Sequence, residues 1–304
     1  MKEYLLWLAK LITLVFVLLV IPFCILGTVV SVCSSFARTV PELESSGKNV
    51  AVVELQGEIS NSKEVVAELY KQVKNERVKG IVLRIDSPGG AVAPSQDIFR
   101  TVQKLKAKKP IVVSMGNTAA SGGLYSALAA SKIYCQPGTL TGSIGVIMQI
   151  PNFRNIVGKV GVEMVTIKSG QFKDTGNMFR EMTEPEKELL SKMIMSIRSD
   201  FVQAVVEGRG LKREDVEKFA DGRVIIGSEA KELGLVDEFG DIYDAARAVF
   251  ELLNEPLAAD EYPNLYYPDD NMKKIKKLLE GALDLPLQML TGAKNMTQVK
   301  LLYM

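Results

Sequence analysis

The segment that most constrains the fold is an apolar run that leads into a turn of very small residues and then into a second apolar stretch. Residues 110–115 are mostly apolar and predict a buried strand. Ser121, Gly122 and Gly123 follow in the small-residue turn, and residues 124–130 predict a tightly packed helix. A serine at a strand-to-helix turn, with backbone that a substrate can approach closely, is a candidate nucleophile. The same pattern is also typical of a packing turn before a buried helix, so both interpretations stay open at this point.

The sequence around this segment alternates between strand and helix patterns. Thr183–Glu186 has the pattern of a capping box and predicts the start of a long helix that ends near Gly208. Alternation at this spacing predicts βαβ units, a mostly parallel sheet and therefore an α/β domain. The predicted strands are 49–57, 80–86, 110–115, 132–135, one entered from a glycine-containing turn within 139–148, 162–168, 222–227 and 234–238. The other predicted helices are 63–74, 94–106, 124–130, 211–220, 228–233 and 241–253.

The chain contains no histidine, which excludes a Ser-His-Asp triad, a Cys-His dyad and any His-ligated metal. The 37 basic and 36 acidic side chains give a net charge of +1, which argues against a nucleic-acid partner. Cys24, Cys33 and Cys135 form no CxxC pair, which argues against a disulfide framework or a zinc site. The sequence therefore predicts neither a metal nor a cofactor. If Ser121 is a nucleophile, a desolvated lysine is the remaining common base.

The N-terminal segment predicts a membrane anchor. Residues 11–32 form an uncharged run of about 22 residues, long enough for a helix to cross a hydrocarbon core of roughly 30 Å. Residues 1–10 then form a short cytoplasmic N-terminus, and residues 33–48 a polar linker. A cleaved signal peptide is the alternative, although no clean A-x-A cleavage site is present.

Three loops are predicted to meet at the carboxyl ends of the strands, where α/β proteins place their sites. They are the Gly-Gly turn at 87–90, the Ser121 turn and the loop 169–174, which carries Lys173. A lysine has a pKa of about 10.4 in water, so a lysine that acts as base must be buried enough to lower it by about two to three units. Phe172 is a candidate wall for such burial, and Asp174 is expected to point away from the amine. For Lys173 alone, a solvated surface charge is the competing interpretation.

Several motifs in order resemble the signal peptide peptidase A family of membrane-anchored serine proteases, in its short form. The resemblance covers roughly residues 48–255. It is carried by DSPGG at 86–90, MGNTAASGG at 115–123, TGSIGV at 141–146, SGQFKD at 169–174 and EAKELGLVD at 229–237.

The resemblance implies a Clp-protease/crotonase-like α/β fold of repeated ββα units with helical assembly elements. It implies a peptidase domain over 49–255, followed by a C-terminal tail over 256–304. It further implies that Ser121 is the nucleophile, Lys173 the general base and Ser143 a hydroxyl that orients the lysine. Gly90 is implied as an oxyanion-hole glycine, and Gly122 is the expected second donor.

The resemblance also implies an endopeptidase that hydrolyses remnant signal peptides and other small or unfolded peptides. Such an enzyme is expected to be a homo-oligomer with sites shared between protomers. It is expected in a bacterial-type inner or plasma membrane, single-pass, in contact with lipid through its N-terminal helix and with the catalytic domain on the extracytoplasmic side.

Two other classes of function remain open from the sequence. A crotonase-like acyl-CoA enzyme would share the fold and the oxyanion hole but would not need the Ser-Lys pair. A non-catalytic membrane scaffold would need neither. The tail is also open to two interpretations, because residues 283–304 resemble either an unfolded substrate that the enzyme trims itself or a surface helix used in assembly.

Overall fold

In the computed structural model, a parallel sheet forms the centre of a mixed α/β fold. The structure describes residues 47–268 and 301–303, with isolated positions 4, 7, 10, 16 and 17. The strands are β1 (Asn49–Gln56), β2 (Gly80–Ser87), β3 (Gly90–Ala91), β4 (Ile111–Ala119), β5 (Lys132–Cys135), β6 (Leu140–Gly142), β7 (Ile147–Met148), β8 (Val224–Ile226), β9 (Glu238–Phe239), β10 (Asn264–Tyr266) and β11 (Leu301–Tyr303). The helices are α1 (Lys63–Lys74), α2 (Val92–Leu105), α3 (Gly122–Ala127), α4 (Arg154–Lys159), α5 (Glu184–Arg209), α6 (Arg213–Glu217), α7 (Gly227–Glu232) and α8 (Ile242–Leu252).

The main sheet has the strand order β10-β1-β2-β4-β5-β9, and each of these pairings is parallel. The predicted parallel sheet is therefore confirmed. Two further strands extend this sheet: β6 pairs in parallel with the end of β4 and antiparallel with β8. A second, small sheet has the order β3-β11-β7, with both pairings antiparallel.

The central strands are apolar on both faces because helices cover both sides of the sheet. Alternate residues of each strand point to opposite faces. One face packs in the larger core, to which β2 contributes Ile81, Leu83 and Ile85. The opposite face, with Val82 of β2, packs against the apolar side of α8. This double coverage explains why β2 and β4 read as continuous apolar runs in the sequence.

The predicted strand over 162–168 is wrong, since these residues form no regular structure. Its apolar side chains face outward, and Ile167 is 97 % exposed. A strand needs a neighbouring strand to bind its backbone groups, and none lies beside this segment in the described part of the chain. The capping box at Thr183 and Glu186 is confirmed at the start of α5.

The predicted membrane anchor lies outside the described residues, apart from positions 16 and 17. Within the described residues, no helix has the length and apolarity needed to cross a membrane. Most of the tail beyond residue 268 also lies outside them, and residues 301–303 are described as strand β11.

Candidate active site

Ser121 lies in the connection between the end of β4 and the start of α3. Its backbone has φ 52° and ψ −116°, a region that residues with a side chain rarely adopt. The side chain is fully buried, and its Oγ has no hydrogen-bond partner among the described residues. Backbone strain and an unpaired buried hydroxyl both cost free energy, and such features cluster at functional sites. This position is therefore the first candidate for a reactive group.

Ser143 is brought next to this turn by a backbone hydrogen bond. The Ser121 N–H donates to the carbonyl oxygen of Gly142 at 2.9 Å, and Ser143 is the next residue in the chain. Ser143 is also buried and has a positive φ of 51°. Its own N–H donates to the carbonyl oxygen of Arg223 at 2.7 Å, which ties the turn to the segment before β8.

Gly90 lies where no other residue fits. With φ +155°, a Cβ at this position would lie 2.4 Å from the carbonyl oxygen and 2.6 Å from the nitrogen of Ile59. A Cβ at Gly122 would lie 2.5 Å from Ser95 Oγ and 3.2 Å from the Gly90 nitrogen. The two glycine backbones therefore approach each other directly beside Ser121. Gly122 is the first residue of α3, so its N–H has no acceptor within its own helix.

Two buried serines hold this glycine pair, and sequence reasoning assigned neither of them a role. Ser87 Oγ donates to the carbonyl oxygen of Gly57 at 2.6 Å and accepts from the Gly89 N–H at 3.1 Å, which fixes the Gly-Gly turn. Ser95 Oγ donates to the carbonyl oxygen of Ala91 at 2.9 Å. Ser87 belongs to the DSPGG motif, so its position was visible in the sequence. Ser95 gave no signal beyond its place on a predicted helix.

Lys173 lies apart from this group in the described chain. Its side chain is exposed, and its Nζ makes no hydrogen bond or ion pair with any described residue. Phe172, the expected wall, is itself 43 % exposed and does not bury the amine. The fold thus brings Ser121, Ser143, Gly90 and Gly122 together within one chain, and it does not bring Lys173 to them.

Asp174 points to other partners than Lys173, as expected from the sequence. Its carboxylate oxygens lie 2.7 Å from Lys168 Nζ and 2.9 Å from Arg180 Nε. The Arg180 guanidinium, and then the Lys168 amine, hold the pKa of this carboxyl well below its usual range. Asp174 is therefore ionised and paired at any physiological pH.

The other reactive groups of the described chain do not compete with Ser121. Cys135 is buried in the larger core, and burial raises the pKa of its thiol to about 11, which keeps it protonated. Among the described residues, no group of three or more acidic, cysteine or histidine side chains could hold a metal ion. The site therefore combines a buried serine hydroxyl with the backbones of two closely approaching glycines.

An extended strand already lies beside these donors. Leu302 and Tyr303 of β11 pair antiparallel with Ala91 and Gly90, and the other edge of β11 pairs with β7. The backbone edges of β3 and β7 are thus spaced to accept one strand between them. Such strand addition is a common way to bind an extended peptide.

Comparisons with known proteins show that the chain is similar to peptidases. Residues 103–254 match the model of peptidase family S49, and residues 47–140 match that of Clp protease. The chain is 41 % identical over 206 residues to a putative protease of Synechocystis, which covers 67 % of this chain and 74 % of that protein. It is 37 % identical over 186 residues to a putative signal peptide peptidase of Enterococcus faecium, covering 61 % of this chain and 54 % of that protein.

A longer relative, Protease 4 of Haemophilus influenzae, is 31 % identical over 242 residues, which are 76 % of this chain but only 39 % of that protein. These matches support a serine peptidase and give no support to an acyl-CoA enzyme or a non-catalytic scaffold. The parallel sheet, the buried serine with its glycine pair and these matches lead to one assignment: the chain belongs to peptidase family S49, the signal peptide peptidase A family of Clp-protease-like serine peptidases.

Proposed function

We propose that the chain is an endopeptidase in which Ser121 is the nucleophile and Lys173 the general base. The observation that carries the proposal is the state of Ser121, which is fully buried, has a positive φ and has an Oγ without a hydrogen-bond partner in the described part of the chain. A purely structural serine would be expected to satisfy its hydroxyl. A nucleophile whose base arrives from elsewhere would leave it unsatisfied.

Two features support a site that is completed by a second copy of the chain. The Ser121 Oγ has no hydrogen-bond partner among the described residues, so no hydrogen bond joins it to Lys173, and the Lys173 loop is exposed. The segment around this loop also presents an unusual number of exposed apolar side chains, which favours an interface. They are Ile156, Val160, Val162, Met164, Val165, Ile167 and Phe172. Docking of this segment against a neighbouring copy would bury the amine and favour its neutral form.

The proposed reaction is acyl transfer to Ser121 followed by hydrolysis. Neutral Lys173 accepts the proton of Ser121 Oγ as the oxygen attacks the peptide carbonyl carbon. The N–H groups of Gly90 and Gly122 donate to the oxyanion that forms on the carbonyl oxygen. The lysine ammonium then gives its proton to the leaving amine. Water, deprotonated by the same lysine, releases the acyl group and restores the serine hydroxyl. Ser143 is proposed to orient the lysine.

The substrate is proposed to be an extended peptide that adds as a strand next to Gly90. The support is β11, whose backbone occupies that position between β3 and β7. A relative carries the name signal peptide peptidase, so remnant signal peptides and other small or unfolded peptides are the proposed substrates. Anchoring by residues 11–32, with the catalytic domain on the extracytoplasmic side, is part of the same proposal.

Covalent labelling tests the proposal directly. A fluorophosphonate probe should form an adduct on Ser121 Oγ, which mass spectrometry of the digested full-length protein can locate. Lys173→Met should slow labelling and peptide cleavage together, because no base removes the serine proton. Ser114→Ala, which removes a buried β4 hydroxyl that accepts a hydrogen bond from Arg84, serves as the matched control and should still be labelled at Ser121. Labelling at another residue, or cleavage that survives Ser121→Ala, would refute the proposal.

A further inference from the structure

Arg180 links the loop that carries Lys173 to the helix that follows it. An arginine side chain has five N–H donors. In Arg180, all five are used: they bind the Asp174 carboxylate and carbonyl, the Glu181 carbonyl and both carboxylate oxygens of Glu186. An arginine with every donor satisfied by protein atoms serves to connect structural elements and differs from a solvated surface charge.

The helix side of this link is firmly held. Glu186 is 1 % exposed and belongs to the first turn of α5. Its Oε2 also accepts from the Thr183 N–H at 2.9 Å and from Thr183 Oγ1 at 3.0 Å. Further along, α5 buries Phe201 and Val202 in the larger core. The helix therefore provides a rigid support for the loop.

The loop side of the link is the residue next to the proposed base. Arg180 Nε lies 2.9 Å from Asp174 Oδ2, and Arg180 Nη2 lies 3.2 Å from the Asp174 carbonyl oxygen. The charged groups around the Asp174 carboxylate are Arg180 and Lys168, with Glu186 behind Arg180. Lys173 has no carboxylate partner among the described residues, although a carboxylate is its immediate neighbour in sequence.

We infer that Arg180 is a positioning residue for catalysis: it fixes the Lys173 loop on α5 and keeps the Asp174 carboxylate away from the Lys173 amine. This inference rests on the proposed role of Lys173 as general base. Without Arg180, the Asp174 carboxylate keeps only Lys168 and a long hydrogen bond of 3.5 Å from the Asn177 amide, and it is free to turn toward Lys173. A carboxylate beside an amine stabilises the protonated form, which cannot act as a base.

The test compares pH–rate profiles of full-length variants. Arg180→Gln should lower kcat by about 10-fold or more, since a misplaced catalytic group has effects of that order. It should also move the acid limb of the kcat profile up by about one pH unit or more, as an opposite charge near a titrating group does. Arg180→Gln with Asp174→Asn should return the limb to its wild-type position while kcat stays low, because the carboxylate is gone but the loop is still undocked.

Arg154→Gln is the matched control, since Arg154 also lies between β7 and α5 and pairs with exposed Glu181. It should leave both kcat and the limb unchanged. If Arg180→Gln does not assemble, Arg180→Lys replaces it in the test. Lysine keeps a positive charge beside Asp174, so the acid limb of the kcat profile should stay at its wild-type pH. It has fewer N–H donors than arginine, so kcat should still fall.

The outcomes separate the inference from the proposed function. If Lys173→Met is inactive but Arg180→Gln and Arg180→Lys behave like Arg154→Gln, the inference is wrong and the proposed function stands. If Lys173→Met keeps full activity, the proposed base is wrong. A low kcat with an unmoved limb in Arg180→Gln would overturn the part of the inference that concerns Asp174.

Discussion

Replacing Ser121 with glycine should stabilise the protein while it abolishes activity. The buried Oγ without a partner costs about 1–3 kcal/mol, which the loss of the hydroxyl recovers. The φ of 52° costs a residue with a Cβ about 1–2 kcal/mol more, and glycine avoids this strain. The greater chain entropy of unfolded glycine offsets about 0.5–1 kcal/mol. The net expectation is an increase of about 2 kcal/mol in the free energy of unfolding.

Thermal unfolding of the full-length chain measures this effect. For a domain of this size, 2 kcal/mol corresponds to a rise of about 4–8 °C in Tm. Protein concentration must be equal across samples, because assembly also shifts Tm. Ser121→Ala removes only the hydroxyl and should fall between wild type and Ser121→Gly. Asn254→Gly is the matched control, because exposed Asn254 has a similar φ of 58° without a reactive group. Because asparagine tolerates a positive φ much better than serine does, this change should alter Tm little and leave activity intact. A Tm of Ser121→Gly at or below that of wild type would refute the reasoning that strain is stored at the proposed nucleophile.

The further predictions concern the proposed oxyanion glycine, stability in acid and the C-terminal tail. Gly90→Ala should lower kcat by about 10²-fold or more, because a Cβ 2.4 Å from the Ile59 carbonyl oxygen would displace the Gly90 N–H from its proposed position at the oxyanion. Gly138→Ala, whose Cβ would meet no atom within 4 Å, should leave kcat unchanged in the same assay. Arg180 and the Thr183 backbone lower the pKa of Glu186 from 4.5 to about 2, so its stabilising effect is complete above pH 4.5 and is lost toward pH 2; Tm should therefore fall more steeply over that range in wild type than in Glu186→Gln. Deleting residues 301–304 should lower KM for a peptide ester without changing kcat, and an unchanged KM would show that the strand does not compete with substrate. If the tail is also trimmed by the enzyme, intact-mass measurement should find it shortened in wild type and complete in Ser121→Ala.

Most of the fold was predictable, because the spacing and the length of apolar runs in the sequence indicate which segments are buried strands and which are helices. The short apolar run over β2 is typical of a strand that is covered on both faces. The capping box at Thr183 predicts the start of α5. The segment 162–168 is also apolar, and the prediction of a strand there was wrong. Its side chains face solvent in the structure, and the sequence pattern does not distinguish exposed apolar residues from core residues.

The site was predictable only in part. Gly90 and Ser121 lie in small-residue turns whose backbone demands are visible in the sequence. The role of Arg180 was not visible, because it depends on five hydrogen bonds that form only when the loop meets α5. The sequence also did not predict whether Ser121 and Lys173 meet within one chain, since a local sequence pattern carries no information on contacts between two distant loops.

Complementation between two inactive variants tests the central claim most directly. Ser121→Ala and Lys173→Met, each without peptidase activity alone, are coexpressed as full-length chains and purified as mixed assemblies. If each site joins the serine of one copy to the lysine of the next, about a quarter of the sites in a random mixture contain both groups, and activity should return to about that fraction of wild type. If mixed assemblies form and remain inactive, the lysine that serves Ser121 does not come from a neighbouring copy, and the proposed shared site is wrong.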